Sequence, residues 1–424
     1  MSSSVPIVGL LGAYERDNFG DVLFLELSRK YLADIESIAL APFVEDTNSG
    51  GPYPTERYAD VARARRLSSV LTVGGEVGGT SVASALKMSA SAQKLASWGN
   101  MATKSRKRMV ADEIGLSMSA SPYLPRMSSM SSTLSVPYAI NSAGLSGMQN
   151  LVGSRRAEAW TAVREACFVS VRDQQSSRML NKAGVAHRLA PDLVHTLRNN
   201  PEFVPDDEPE VALVQVKGAV LKRLGPQRLA EILIASKSLR PYNLRFFAAG
   251  YATGHDSFDL YQEVADRFSS IDPSRSISMP RGGSALEKAQ QIAGCGLWIG
   301  TSLHGWIISS SFNRARVAIE LEKIVRYADT WDDPMPTGVE VADLDDAVQT
   351  AIDGHRRASS GEIMRTSSLA DQADVSIRTA LSRLADDLPE KEIARRSESN
   401  RTLDVGGPSI LRKVVDHIDF LRSI

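Results

Sequence analysis

Short apolar runs alternate with stretches of helical length along most of the chain, and this alternation limits the fold more than any single motif does. In the first half, Pro6–Leu11, Ser37–Leu40, Val70–Val73, Val136–Ile140 and Phe168–Val171 read as strands, with helices expected over Val22–Leu32 and Arg155–Ala166 among them. In the second half, Val211–Val216, Leu244–Ala248, Ser276–Met279, Leu297–Gly300 and Ala315–Glu320 repeat the pattern around helices Pro226–Leu239, Ser257–Phe268 and Ser284–Ala293. Strands separated by helices form parallel sheets covered on both faces. The stretch Asn199–Glu210, dense in proline and acidic residues, is the clearest linker. The fold class is therefore α/β with two facing Rossmann-like domains, residues 1–200 and 208–340, and a cleft between the carboxyl edges of their sheets. A chain of 424 residues is too long for one ordinary core, in keeping with that division.

Two segments stand outside the alternation. Residues 99–135, rich in Ser, Met, Lys and Arg, are expected to be an irregular insertion, a candidate lid. Residues 341–424 read as a helical tail packing back on the body, with a helix over Asp343–Arg357 and amphipathic helices over Ser368–Leu388 and Ile410–Ile424. An alanine-rich helix is expected after Gly79.

Charge narrows the partners. Lys and Arg number 49 against 50 Asp and Glu, so nothing global favours nucleic acid or an acidic membrane. No apolar run approaches the ~18 residues of a membrane span, and the N-terminus lacks the basic start of a signal peptide. Two cysteines, Cys167 and Cys295, make no disulfide framework. A cytoplasmic protein is the expectation.

Candidate chemistry gathers after strands. Leu297–Gly300 runs through Thr301 and Ser302, both good N-caps, into an apolar helix, so His304 falls in the first helical turn. An imidazole there faces the positive end of the helix dipole, which favours its neutral form. The competing reading is a histidine hydrogen-bonded in a helix start. Arg172 closes a buried strand and precedes Asp173, an expected N-cap; its planar guanidinium suits a carboxylate or phosphate, or else a structural ion pair. After the first strand, Asn18-Phe19-Gly20-Asp21 places a glycine and an expected N-cap, Asp21, at a turn. After the third, Gly74-Gly75-Glu76-Val77-Gly78-Gly79 suggests close approach by a ligand or by the facing domain, and it is no Walker A loop because no Gly-Lys-Ser/Thr follows.

In order and spacing, Asn18–Asp21, Gly74-Gly75, Ser170-Val171-Arg172-Asp173, Pro191-Asp192, Ser302-Leu303-His304-Gly305 and the trailing Lys323 resemble the polysaccharide pyruvyl transferases over about Ile7–Trp331. The resemblance implies the glycosyltransferase B-like architecture and transfer of pyruvate from phosphoenolpyruvate to two hydroxyls of a sugar as a cyclic ketal. It implies phosphoenolpyruvate as co-substrate, no further cofactor and no metal, and a glycan or lipid-linked sugar of a cell-surface or exopolysaccharide precursor as acceptor. Carried onto this chain, His304 would contact phosphate or deliver a proton, and Asp21 would face the reacting sugar. Arg172 would hold the donor, while Asn18, Gly20, Gly74 and Gly75 would line the acceptor side. Many members carry Arg before the Leu-His pair; here Ser302 stands there, so Lys323 and Arg281 become the candidates to supply the missing charge, Lys323 first. A nucleotide-sugar-dependent glycosyltransferase and a non-catalytic glycan-binding relative are the rival readings.

Overall fold

The computed structural model describes residues 7–33, 35–44, 53–64, 66–99, 101–126, 136–252, 254–357 and 360–386. They divide into two compact units. One holds the residues up to Glu15, Phe24–Ala190 and the chain from Asp374, and the other Arg16–Leu23 and Pro191–Ala373.

The elements of the first half are β1 (Ile7–Leu11), α1 (Phe19–Leu32), β2 (Glu36–Ala41), β3 (Glu56–Arg57), α2 (Tyr58–Arg63) and β4 (Ser69–Val73). Then come α3 (Val82–Ser89), α4 (Ala92–Gly99), α5 (Thr103–Ile114), β5 (Tyr138–Ala143), α6 (Gly153–Glu165), β6 (Phe168–Val171), α7 (Gln174–Lys182) and β7 (Arg188–Leu189). The seven strands form one parallel sheet in the order β3-β2-β1-β4-β5-β6-β7. Its central strands are apolar on both faces, as a sheet covered on both sides requires: Leu10, Leu11, Val70, Leu71, Ala139 and Ile140 are all buried.

Several expectations shift. Helix α1 begins at Phe19, not Val22, and Asp21 is not its N-cap but a residue of its first turn. Asn18 does the capping, its Oδ1 accepting from Gly20 N–H at 3.3 Å and its carbonyl from Val22 N–H at 3.2 Å. Asn141–Ala143 continues β5 beyond the expected strand end at Ile140, through a register shift after Ile140 at which Ser142 takes φ 51°. The alanine-rich helix is two, α3 and α4, separated at Ala90–Ser91. Residues 101–126 are not irregular throughout. Lys, Arg, Met, Ala and Glu favour helix over Thr103–Ile114, which ends on the left-handed Gly115. Val110, Ile114, Leu116, Tyr123 and Leu124 are buried in this unit's core, and Thr72 Oγ1 donates to Tyr123 C=O at 3.1 Å, so the segment is packed structure rather than a lid. Residues 127–135 lie outside the described residues.

The second half runs β8 (Glu208–Gln215), α8 (Gly218–Leu224), α9 (Pro226–Ala235), β9 (Asn243–Phe246), α10 (Phe258–Ile271), β10 (Ile277–Ser278) and α11 (Ala285–Gly294). It continues with β11 (Cys295–Gly300), α12 (Leu303–Ser311), β12 (Ala315–Ala318), α13 (Glu322–Thr330), α14 (Leu344–Arg356) and α15 (Ser360–Asp386). Its parallel sheet has the order β10-β9-β8-β11-β12. Beneath it a buried network ties α15 down. Arg316 Nη2, paired with Asp333, reaches Glu362 Oε1 of α15 at 3.4 Å, and Arg365 of α15 donates to the Trp331 carbonyl at 3.1 Å and to Ser310 Oγ at 3.3 Å. These bonds explain why α15 starts at Ser360, ahead of the expected Ser368.

From Asp374 onward α15 belongs to the first unit. There it buries Ile377, Ala380, Leu381 and Leu384, and Ser376 Oγ donates to Asn141 Oδ1 at 2.7 Å. The expected helix Ile410–Ile424 lies outside the described residues.

Candidate functional site

The second unit builds a charged cluster at the carboxyl ends of its strands. Gln215 ends β8, and its Oε1 accepts from Thr301 N–H at 2.9 Å and Thr301 Oγ1 at 3.1 Å. Thr301 Oγ1 in turn accepts from Lys217 N–H at 3.0 Å. Gln215 Nε2 donates to Asp256 Oδ1 at 2.6 Å, while Asp256 Oδ2 takes Ala249 N–H at 2.6 Å. Burial pushes the Asp256 carboxyl up to about 6, against the pull of these hydrogen bonds. One buried amide and one buried carboxyl thus bind together the loops that follow β8, β9 and β11.

Those loops place His304 and the turn before α1. Ser302 caps α12, its Oγ accepting from Gly305 N–H at 3.3 Å, so the hydroxyl standing where relatives carry Arg serves the helix start. His304 lies in that first turn, and a methyl group on Gly20 would overlap its Nδ1. Glycine at position 20 is what admits the imidazole. Phe19 meets the ring edge-on at 6.1 Å and packs against Phe247 at 5.5 Å, which meets Trp298 at 5.2 Å. Phe19 N–H donates to Ala249 C=O at 2.8 Å, and Tyr251 N–H to Asp17 Oδ2 at 2.7 Å. These contacts explain why Arg16–Leu23 belongs to this unit.

Asp21 is held from two sides: its Oδ2 accepts from Asn18 Nδ2 at 2.6 Å and from Arg16 Nη2 at 3.1 Å. His255, in the loop after β9, is central to the charges. Burial drives its imidazole down to about 4; nearby Asp21 opposes this, while Arg16, Lys217 and Lys323 reinforce it. The charges of Asp21, Arg16, Lys217 and Lys323 are thus all felt at His255.

His304, Gly20, Asn18, Asp21, Ser302 and Lys323 are thus all in the second unit around this edge. Arg281 is not brought there. It pairs with Glu208 at 2.8 Å, at the start of β8, and that strand's seven residue steps put Gln215 roughly 23 Å away. Arg16, Lys217 and His255 escaped the sequence reading. His255-Asp256, following the glycine-containing loop after Phe246, was the available signal.

In the first unit, Arg172 is buried just beyond β6, and Asp173 caps α7 as expected, its Oδ1 accepting from Ser176 N–H at 2.7 Å. Gly74 and Gly75 have φ of 62° and 72°. A methyl on Gly74 would strike the Phe24 ring, so the close approach read from these glycines is made by the unit's own core. Gly144 N–H donates to Gly75 C=O at 2.8 Å, closing that loop on the next strand's exit. Among the described residues no group of three His, Cys, Asp or Glu side chains is placed to hold a metal ion, and no helix is long and apolar enough to cross a membrane.

The fold is similar to that of known sugar-nucleotide enzymes. A protein of Listeria monocytogenes described as a UDP-N-acetylglucosamine 2-epimerase aligns at 9% identity and TM-score 0.53, over 92% of this chain and 98% of that one. The UDP-N-acetylglucosamine 2-epimerase of Rickettsia bellii aligns at 9% identity and TM-score 0.51, over 90% and 97%. At such identity the likeness is one of fold, and it is the glycosyltransferase B-like class expected. No curated protein matches the chain in sequence. Residues 18–322, well over half of the chain and a span that includes Asp21, Lys217, His255 and His304, match the polysaccharide pyruvyl transferases, and the chain belongs to that family.

Proposed function

We propose that the protein transfers a pyruvyl group from phosphoenolpyruvate to a sugar of a polysaccharide precursor, forming a cyclic ketal. The observation that carries this reading is His304 seated against Gly20, one residue from the Arg16–Asp21 ion pair, with Arg16, Asp21, Lys217 and Lys323 all acting on His255. A donor bearing both phosphate and carboxylate needs more positive charge than helix N–H groups supply, and side-chain cations provide it. The Ser302 hydroxyl cannot replace an arginine; three cations from three other segments make up for it.

The chemistry divides among these groups. The dianionic phosphate of the bound donor favours the imidazolium form of His304, which gives its proton to the donor's methylene carbon, and the adjacent carbon becomes electrophilic. One sugar hydroxyl adds there and loses its proton to Asp21. Phosphate then leaves with the electrons of the C–O bond, stabilised by the three cations, and the second hydroxyl closes the ketal as its proton passes to phosphate. One donor and two hydroxyls become one ketal and one inorganic phosphate. Arg172 enters the proposal on chemical grounds, as a planar ligand for a donor oxyanion.

The test is incubation with phosphoenolpyruvate and a panel of glycan acceptors, following phosphate release and the mass of the product. Pyruvate ketal with stoichiometric phosphate is expected, and Lys217→Met should weaken donor binding about tenfold, an ion-pair-sized loss. Binding of a UDP-sugar with no phosphate release from phosphoenolpyruvate would replace this reading with glycosyl transfer. Failure to bind either donor would leave a non-catalytic glycan binder.

A further inference from the structure

A second charged feature lies on the first unit, remote in sequence from the cluster around His304. Helices α6 and α7 pack their inner sides, through Ala159, Ala162, Val163 and Leu180, on one core. Their outer sides enclose a groove of about 930 Å³. The stripe Arg156, Trp160, Arg164 on α6 faces it, spaced by four residues as one helix face requires. Across it stand Arg178 and Lys182, four residues apart on α7.

Four cations line this groove and no carboxylate does. The charge is segregated along α6 itself. Glu158 and Glu165 turn away to Arg126, at 2.8 and 3.2 Å. Among the described residues Arg156, Arg164, Arg178 and Lys182 form no ion pair. Surface cations usually sit among acids of their own chain; here repulsion is left uncompensated around a half-buried aromatic. The guanidinium of Arg164 stands over the Trp160 ring, 5.5 Å from its centre.

We infer that this groove binds an acidic glycan, a stretch of polysaccharide carrying several carboxylates. Arg156 and Arg164 are eight residues apart on one helix, about 12 Å, too far for one phosphate to bridge but suited to a chain with repeated charges. Trp160, Thr161 and Gln175 offer an aromatic surface and hydrogen-bonding groups between the cations, which a sugar can use. A lipid surface is disfavoured because the features are concave and the aromatic ring is half-buried rather than protruding. The carboxylated character of the ligand rests on the pyruvyl-transfer reading, in which each ketal adds one carboxylate to the polymer. The groove would then hold already modified chain.

Calorimetry with oligogalacturonate, neutral dextran oligosaccharide, single-stranded oligonucleotide and phosphatidylglycerol vesicles tests this without any donor present. Salt-sensitive binding of oligogalacturonate alone is expected, reduced at least about tenfold in Arg156→Glu/Arg178→Glu. Arg156→Gln/Arg178→Gln, a milder change, should reduce it in the same direction with an unaltered melting temperature. Equal binding by wild type and both variants, or a preference for vesicles or oligonucleotide, would overturn the inference. Because phosphate release is assayed separately, glycan binding without pyruvyl transfer would count against the proposed reaction alone. Transfer without glycan binding would count against the groove alone.

Discussion

The carboxyl edges of the two sheets carry similar-looking sequence and are built differently. In the first unit, the glycines after β4 fold onto their own neighbours, with Gly74 against Phe24 and Gly75 bonded to Gly144. In the second, the glycine at position 20 makes room for a histidine side chain, and Lys217, His255 and Lys323 come from separate segments to the same place. A glycine after a strand reports that something comes close. It does not report what.

The largest effect should fall on His304. His304→Ala is expected to lower turnover by about two to four orders of magnitude, the usual contribution of a positioned proton donor. Phosphate release from phosphoenolpyruvate measures it, and unchanged turnover would remove His304 from the chemistry.

The glycine contrast can be broken directly. Gly20→Ala displaces the imidazole, so kcat should fall about tenfold or more while the melting temperature changes little. Gly74→Ala strains a left-handed backbone against the Phe24 ring, so it should cost roughly 1–3 kcal/mol of stability, read from denaturant unfolding. A Gly74→Ala protein of full stability but without activity would reverse the assignment of the two glycines.

The two candidate cations give a smaller contrast. Lys323→Met should raise the donor KM about tenfold, since a phosphate loses one charged partner. Arg281→Met should leave KM unchanged and affect only the Glu208 pair. Equal effects on KM would place Arg281 nearer the donor than its ion pair allows.

Acid provides the mildest test. Burial lowers the His195 imidazole to about 3; Arg365, Arg316 and Arg198 reinforce this and Asp333 opposes it. Its ring bonds Tyr327 Oη at 2.9 Å and Ser311 Oγ at 2.7 Å. A folded-state value below the unfolded one near 6.5 means the unfolded chain binds more protons between the two. This stabilising contribution is complete above pH 6.5 and is lost as pH falls from there toward 3. His255, held at about 4, acts in the same sense, while Asp256, raised to about 6, acts in the opposite sense between its unfolded value and 6. Thermal melts of His195→Asn against pH should show a flatter acid limb than wild type; an identical limb would contradict the assignment.

Much of this was legible in the residues themselves. Strands such as Phe168–Val171 lie where their apolar runs predicted, because a parallel sheet buried on both faces demands such runs. Helix starts were legible where the cap is local, as at Asp173 and Ser302, since a side chain reaching its own N3 amide needs no tertiary partner. The start of α1 was not, because Phe19 is anchored by the carbonyl of Ala249, far along the chain. Thr103–Ile114 was missed because serine and methionine in the surrounding stretch masked a run of helix formers. His304 was marked by its place in a helix start after a strand, and Lys323 and the role of Asp21 by the family resemblance, whereas Arg281 pairs with Glu208: topology gave the strand it follows, not the acid it would find. Only the tertiary structure could assemble Arg16, Lys217, His255 and Lys323, since their charges act through space and no spacing along the chain encodes which loops a folded sheet brings to one edge.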